Sequence, residues 1–163
     1  MNTINGLPAH ILLVHLVVVL APLTAVLAIT AAVWPAARRR LVWVVAAFAV
    51  ITLAATPLTT SAGEWLEKRV PESEAVKIHT ELGDSMLYFS IALLVVAAAL
   101  VFVHLRENKG TAPKRAVTIA VAVLTLVVGI GVVVQVYRIG DSGARAVWED
   151  SLTSTSAPAE SDG

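Results

Sequence analysis

The sequence contains no cysteine and little charge. Among its 163 residues the absence of cysteine excludes disulfides, thiolate metal sites and cysteine nucleophiles. Charged residues make up 15% of the chain and hydrophobic residues 57%, whereas an average soluble domain has about 25% charged residues. Too few polar side chains remain to cover the surface of a soluble protein of this length. The composition therefore predicts a membrane protein.

Several functional motifs are also missing. No basic patch with interleaved aromatic residues is present, so nucleic acid is not an expected partner. The chain has no nucleophile elbow, zinc-protease helix motif or phosphate loop, which argues against hydrolysis. No charged residue lies between Ser85 and Leu105 or between Ala116 and Tyr137. Coupled transport usually needs an ionisable group near the membrane midplane, so a transporter is disfavoured.

What the chain does have is four long apolar segments. Each can cross a hydrocarbon core of roughly 30 Å as a helix of about 20 residues. We expect an all-α polytopic membrane protein, with a four-helix transmembrane bundle in residues 1–150. The third helix is expected to begin near Glu74, ahead of its span. Residues 151–163 are mostly Ser, Thr, Ala and acidic residues and are expected to form a disordered tail. The predicted spans are residues 8–33, 41–63, 84–105 and 116–137.

Charge is segregated between the two ends of the predicted bundle. Four spans place the first and third connections on one side, with seven basic residues and one acid, Glu107. The other side receives five basic residues and eleven acids. The net charges are +6 and −6, so the positive-inside rule predicts a plasma-membrane protein with both termini outside the cytoplasm. Because the first 37 residues contain no Lys or Arg, we expect no secretory signal peptide.

Polar side chains collect in the outer halves of the spans, away from the basic connections. Polar groups in lipid are costly unless they pair within the bundle or line a wet cavity. All four helices contribute, which predicts an outward-facing pocket. Some members have simpler explanations, because Thr56 can bond the carbonyl four residues back and the tyrosines can be interface anchors. The collected residues include His10, His15, Thr56, Thr59, Glu64, His79, Glu81, Asp84, Ser85, Tyr88, Ser90, Gln135 and Tyr137.

The histidines in this cluster are candidate ligands for a divalent metal. His10 and His15 are five residues apart, which turns them about 140° around a helix, so they cannot chelate one ion together. A metal site would therefore need His79 from the third helix. Adding Glu64 or Glu81 gives two histidines and one carboxylate, a set that suits zinc or iron.

The same histidines are candidate axial ligands of haem b. Such a haem needs two imidazoles from different helices at similar depth. His15 with His79 is the first choice, and His10 with His79 is the second. His104 lies alone at the other end, so an electron path across the membrane through two haems is disfavoured.

The alternative is a structural or accessory membrane protein. In that case the histidines only form hydrogen bonds between helices, and the chain is a homo-oligomer or a subunit of a larger membrane complex. The sequence leaves the choice between cofactor binding and this structural role open, and it does not decide whether the protein is an enzyme.

The opening motif Gly6-Leu7-Pro8-Ala9-His10-x-x-x-Val14-His15 resembles a bacterial family of four-span membrane proteins, a domain of unknown function numbered twenty-two thirty-one. Gly63-Glu64-Trp65, His79-x-x-Leu82-Gly83 and Val136-Tyr137-Arg138-x-Gly140-x-x-Gly143 resemble further segments of that family. Ile11 stands where the family usually has proline, and Glu64 where it has aspartate. The resemblance implies a four-helix bundle with these positions matched, and no established reaction. A likeness to four-helix b-type cytochromes is an analogy of fold.

Overall fold

The computed structural model of the protein describes residues 3–4, 7–70 and 73–155. Two short strands, β1 and β2, pair antiparallel ahead of the first helix, and four long helices follow. The prediction of an all-α four-helix protein is confirmed. The elements are β1 (Thr3–Ile4), β2 (Leu7–Pro8), α1 (Ala9–Val33), α2 (Pro35–Glu67), α3 (Glu74–Asn108) and α4 (Arg115–Thr155).

All four helices are long and apolar enough to cross a membrane, and an 18-residue segment of each has a mean hydropathy of 2.7, 2.3, 2.7 and 2.9 in chain order. Each predicted span lies within one helix, except that Pro8 belongs to β2. At the other end, α4 continues to Thr155 and so includes the first five residues of the predicted tail. Residues 156–163, the remainder of that tail, lie outside the described residues.

A single residue, Trp34, separates α1 from α2. Its backbone is extended, with φ −122° and ψ 103°, because the ring of a following proline disfavours the helical conformation. Pro35 then takes the first position of α2, where the lack of an N–H group removes no helical hydrogen bond. The arginines 38–40, expected in a loop, therefore lie in the first turns of α2.

Local capping fixes both ends of α3. Ser73 precedes the helix in an extended conformation, and its Oγ accepts a hydrogen bond from the backbone N–H of Val76 at 3.2 Å. This is the arrangement expected of a helix N-cap, and it confirms a start at Glu74. After the helix, Gly110 has φ +67°, the left-handed conformation that commonly ends a helix and that glycine adopts without strain.

The helices form a four-cornered bundle. Helix α1 packs against α2 and α4, and α3 packs against the same two neighbours. Contacts between α1 and α3 are few, because these helices lie across a diagonal. A residue of α1 and a residue of α3 can therefore face each other across the centre of the bundle.

The part of the core that α1 contributes is built mainly from small side chains, and large apolar side chains cover much of the exterior. Ala21, Ala25 and Ala28 of α1 are fully buried, and a Cβ on Gly129 of α4 would lie 2.7 Å from Cδ1 of Ile29. Small residues of this kind allow helices in a membrane to approach closely. Large apolar residues such as Val19 are exposed instead. An apolar exterior suits lipid.

Arg38 ties three helices together at the end of the bundle opposite the polar cluster. Its buried guanidinium forms an ion pair with Glu107 of α3, with Nη2–Oε1 at 2.7 Å and Nε–Oε2 at 3.1 Å. Its Nη1 donates to the carbonyls of Ala31 at 3.0 Å and Ala32 at 3.2 Å, near the end of α1. The first and third connections thus lie at the same end of the bundle, as four spans require.

Candidate functional site

His10 bridges α1 and α2. Its Nδ1 lies 3.0 Å from the carbonyl oxygen of Thr59. A carbonyl only accepts, so Nδ1 carries the proton and donates, which leaves the lone pair on Nε2. The ring also packs on Gly63, where an added Cβ would be 3.1 Å from both Nδ1 and Cε1. His10 is therefore positioned by a backbone carbonyl and a glycine of the neighbouring helix.

His79 bridges α3 and α4 in the same way. Its Nδ1 lies 3.2 Å from the carbonyl oxygen of Ile139 and 3.1 Å from Oγ of Ser142. The Ser142 hydroxyl itself donates to the Ile139 carbonyl at 2.9 Å. A Cβ on Gly143 would lie 3.0 Å from Cε1 of the imidazole. Here too the proton is on Nδ1 and the lone pair on Nε2.

The two halves of the chain thus repeat one arrangement. In each helix pair, a histidine of the first helix donates to a carbonyl of the second, and a glycine four residues after that carbonyl lies against the ring. Thr59 and Gly63 serve His10, while Ile139 and Gly143 serve His79. The two histidines belong to α1 and α3, the diagonal pair of the bundle.

The two imidazoles face each other across the bundle. Their ring centroids are 6.4 Å apart and their planes are inclined by 87°. Among the described residues neither Nε2 accepts a hydrogen bond; the bonds formed by His10 and His79 all involve Nδ1. Two nitrogen lone pairs are therefore available within one site.

A pocket of about 460 Å³ surrounds the pair. All four helices line it, although Gln135 and Tyr137, the members of the polar cluster predicted from α4, do not. Its apolar lining comes mostly from Val, Ile, Leu and Met, and its polar lining consists of hydroxyls and carboxylates in addition to the two histidines. The polar members are Thr56, Thr59, Thr60, Glu64, Glu67, Thr80 and Asp84.

His15 lies outside this pocket. Its side chain is exposed on the outer surface of α1, and its Nδ1 donates to the carbonyl of Ile11 in the same helix. The turn of about 140° between positions five apart in a helix explains the separation, because it directs His15 away from the bundle when His10 faces inward. The structure therefore places His10 beside His79, the second of the two expected pairs.

Glu64 lines the pocket with an exposed side chain. Within the part of the chain that the structure describes, however, no three His, Cys, Asp or Glu residues are grouped so that they could hold a metal ion. The expected site of two histidines and one carboxylate is thus not assembled, whether the carboxylate is Glu64 or Glu81. His10 and His79 lie together, but no third ligand is grouped with them among the described residues.

Other members of the polar cluster are satisfied within the bundle. Oγ1 of Thr56 donates to the carbonyl of Thr52 at 2.8 Å, as expected, and lies 2.8 Å from Oγ of Ser90. Nε2 of Gln135 donates to Ser85 Oγ at 2.7 Å and to the Leu82 carbonyl at 3.0 Å. These contacts join α2 to α3 and α3 to α4 and need no ligand. The two tyrosines are exposed, Tyr88 at 74% and Tyr137 at 73%, which suits interface anchors.

Sequence reasoning missed the groups that position the imidazoles. Gly63 and Gly143 were matched to family segments without a role, and the carbonyls of Thr59 and Ile139 have no side-chain signature. The available signal was a glycine near the outer end of each even-numbered helix, opposite a histidine on the helix before it.

Comparison with known proteins gives a family and no activity. A family model described as a predicted membrane protein (DUF2231) matches residues 6–156. No curated protein and no solved structure matches the chain.

Proposed function

The chain belongs to the DUF2231 family of predicted membrane proteins, and we propose that it is a single-haem b protein with His10 and His79 as axial ligands. One observation carries the proposal: imidazoles from two different helices lie at the same depth with their ring centroids 6.4 Å apart. The proposed function is electron transfer or redox sensing at one end of a four-helix membrane bundle.

The spacing of the rings matches the size of an iron centre. A bond of about 2 Å from metal to imidazole nitrogen on each side, with a ring radius of about 1.1 Å, separates the centroids of two axial imidazoles by about 6 Å. The measured separation is 6.4 Å. Ring planes at 87° to each other are compatible with axial ligation, since each ring can turn about its own metal–nitrogen bond.

The donor set also suits haem better than a bare metal ion. A haem brings four nitrogen ligands of its own, so only two protein ligands are required. The described residues supply two free Nε2 atoms and no three-residue metal group. Each ligand is also oriented by a hydrogen bond from its other nitrogen, as is usual for histidines that bind metals.

The pocket offers a suitable environment for a large, mostly apolar cofactor. Its volume of about 460 Å³ lies within the usual range for cofactor sites, and such sites are mainly apolar with a few placed polar groups. Haem would supply one-electron chemistry there. If His10 and His79 both held the haem, they would leave no ligand position for a substrate, which favours electron transfer or sensing over catalysis on a bound molecule.

We also propose that this pocket faces away from the cytoplasm. The histidines lie at the end of the bundle opposite Arg38 and the basic connections. The basic end has a net charge of +6, and the positive-inside rule places such an end in the cytoplasm. Any electron donor or acceptor would then reach the protein from the extracytoplasmic side of a plasma membrane.

The second candidate function is a structural or accessory subunit, alone as a homo-oligomer or in a larger membrane complex. A specific observation favours it, because the hydrogen bonds of His10 and His79 join α1 to α2 and α3 to α4. The two candidate functions differ in the role that they give to Nε2 of each histidine. The structural role leaves both Nε2 atoms without a task, whereas axial ligation uses both.

An absorption spectrum of the purified full-length protein, with metal analysis, separates the candidates. The protein is produced with a haem supply, extracted in detergent and compared with variants of each histidine. We expect a Soret band and one iron per chain. His10→Ala and His79→Ala should each remove or shift the band, because each removes an axial ligand.

His15→Ala and His104→Ala are the matched controls, since each removes an imidazole outside the pocket, and both should keep the band. Loss of the band in His15→Ala with retention in His10→Ala would overturn the assigned pair. Absence of a Soret band after incubation with haemin, with no stoichiometric metal, would reject the cofactor and leave the structural role.

A further inference from the structure

Among the described residues, six cationic side chains at the basic end of the bundle form no ion pair. The first and third connections and the adjoining helix ends contain seven basic residues and one acid, Glu107. Arg38 is paired with that acid, with Nη2–Oε1 at 2.7 Å. The six that remain are all exposed: Arg39, Arg40, Arg106, Lys109, Lys114 and Arg115.

The short turn at Trp34 holds two of these cations close to the surface of the membrane. Because one residue separates α1 from α2, Arg39 and Arg40 lie in the first turns of α2 and not on a loop that extends into water. Trp43 follows three and four residues later on the same side of the helix and is 57% exposed. Exposed indoles of this kind lie at the level of the lipid headgroups. The two guanidinium groups begin about 5 Å beyond the indole along the helix, at the depth of lipid phosphates.

A third cation reaches the same level from α3. Cζ of Arg106 lies 5.3 Å from the ring centroid of Phe102, a distance at which a guanidinium is attracted to an aromatic face. Phe102 is 49% exposed on the apolar exterior of the bundle. Arg106 therefore runs along the lipid-facing side of α3, with its charge at the edge of the hydrocarbon.

The opposite end of the bundle offers no comparable surface. Arg69 lies over the ring of Trp65 at 3.7 Å, but acids outnumber basic residues eleven to five on that side. Arg145 is already paired with Asp141 at 3.0 Å. An excess of exposed cations beside interfacial aromatic rings is thus a property of the basic end.

We infer that the basic end binds the headgroups of anionic phospholipids such as phosphatidylglycerol, with Arg39, Arg40 and Arg106 as phosphate-binding residues. The inference goes beyond the proposed function, because this surface and the histidine pocket lie at opposite ends of the bundle. A guanidinium donates paired hydrogen bonds to phosphate oxygens. The choline cation of a zwitterionic lipid opposes such binding, so the surface should prefer a headgroup with net negative charge.

The test measures which lipid lies beside the indoles of the basic end. The full-length variant Trp65→Phe/Trp148→Phe keeps Trp34 and Trp43 as its fluorophores. It is reconstituted into vesicles of equal parts phosphatidylglycerol and phosphatidylcholine, in which the acyl chains of one lipid or the other carry bromine, a quencher that acts at contact. Quenching should give phosphatidylglycerol an affinity about fivefold higher, the effect of one cation at a membrane surface. Salt at about 1 M should reduce this preference by screening.

Arg39→Gln/Arg40→Gln in the same background should bring the relative affinity close to one, because it removes two cations beside Trp43. Lys68→Gln/Lys77→Gln is the matched control, since it removes the same charge from exposed lysines at the other end of the bundle, and it should keep the preference. Equal quenching by the two lipids before any charge is removed, or an unchanged preference in the arginine variant, would overturn the inference. Loss of the preference in millimolar inorganic phosphate at constant ionic strength would also overturn it, because the surface would then take free phosphate in place of a lipid.

Discussion

Gly63 and Gly143 leave space for the imidazoles of His10 and His79. An added methyl group would lie 3.0–3.1 Å from a ring atom in both cases, closer than ordinary van der Waals contact. A core that is already packed responds to such an addition by shifting a side chain or the backbone, at a cost of about 1–3 kcal/mol. The glycines therefore hold the rings in position by their lack of a side chain.

Gly143→Ala should displace His79 and weaken haem retention by about tenfold or more, because the added Cβ meets the ring. The ratio of Soret absorbance to protein after gel filtration measures this effect, and the melting temperature reports the strain directly. Gly140→Ala is the control on the same helix, since a Cβ there meets nothing within 4 Å.

The control variant should bind haem normally, and its alanine should stabilise α4 by up to about 1 kcal/mol. If Gly143→Ala and Gly140→Ala had the same melting temperature and the same haem content, the positioning role of Gly143 would be wrong.

Different contacts join the helices at the two ends of the bundle. At the basic end, Arg38 is the main connection, because one guanidinium bonds two carbonyls of α1 and the Glu107 carboxylate of α3. Toward the other end, neighbouring helices are joined by the histidine–carbonyl bonds and by the side-chain bonds of Gln135 and Thr56. An ion pair therefore joins helices at one end, and uncharged hydrogen bonds join them toward the other.

Arg38→Ala should destabilise the bundle by about 3 kcal/mol, since it leaves the Glu107 carboxylate and two carbonyls without their partner. Unfolding in mixed micelles measures this loss. Arg39→Ala removes the same charge from an exposed position of the same helix and should change stability by less than about 0.5 kcal/mol.

The single variant Glu107→Ala and the double variant Arg38→Ala/Glu107→Ala complete a double-mutant cycle. Removing the unpaired carboxylate should recover part of the lost stability. Equal stabilities of Arg38→Ala and Arg39→Ala would show that the ion pair does not hold the three helices together.

Charge is separated along the sequence, with +6 in the first and third connections and −6 in the rest of the chain. Both predicted connections of the basic end are indeed together, as the Arg38–Glu107 pair demonstrates. The orientation of the chain in the membrane follows from the positive-inside rule and remains a prediction.

Green fluorescent protein fused after Gly163 should therefore be dark, because it does not mature when exported, whereas a fusion after Gly110 should fluoresce in the cytoplasm. Alkaline phosphatase at the same two positions should give the opposite pattern and serves as the control. Fluorescence of the Gly163 fusion, with an active phosphatase after Gly110, would reverse the orientation.

The sequence by itself determined the four helices, the separation of charge and the residue types of the pocket. Length and hydropathy decide a membrane helix, and an unpaired imidazole in such a helix is costly enough to indicate a site. Only the tertiary structure decided that His10, and not His15, lies beside His79. The rotation of each helix is set by packing against its neighbours, through contacts such as those at Gly63 and Gly143. Because both the lipid-facing and the core-facing sides of these helices are apolar, the sequence pattern alone does not indicate that rotation.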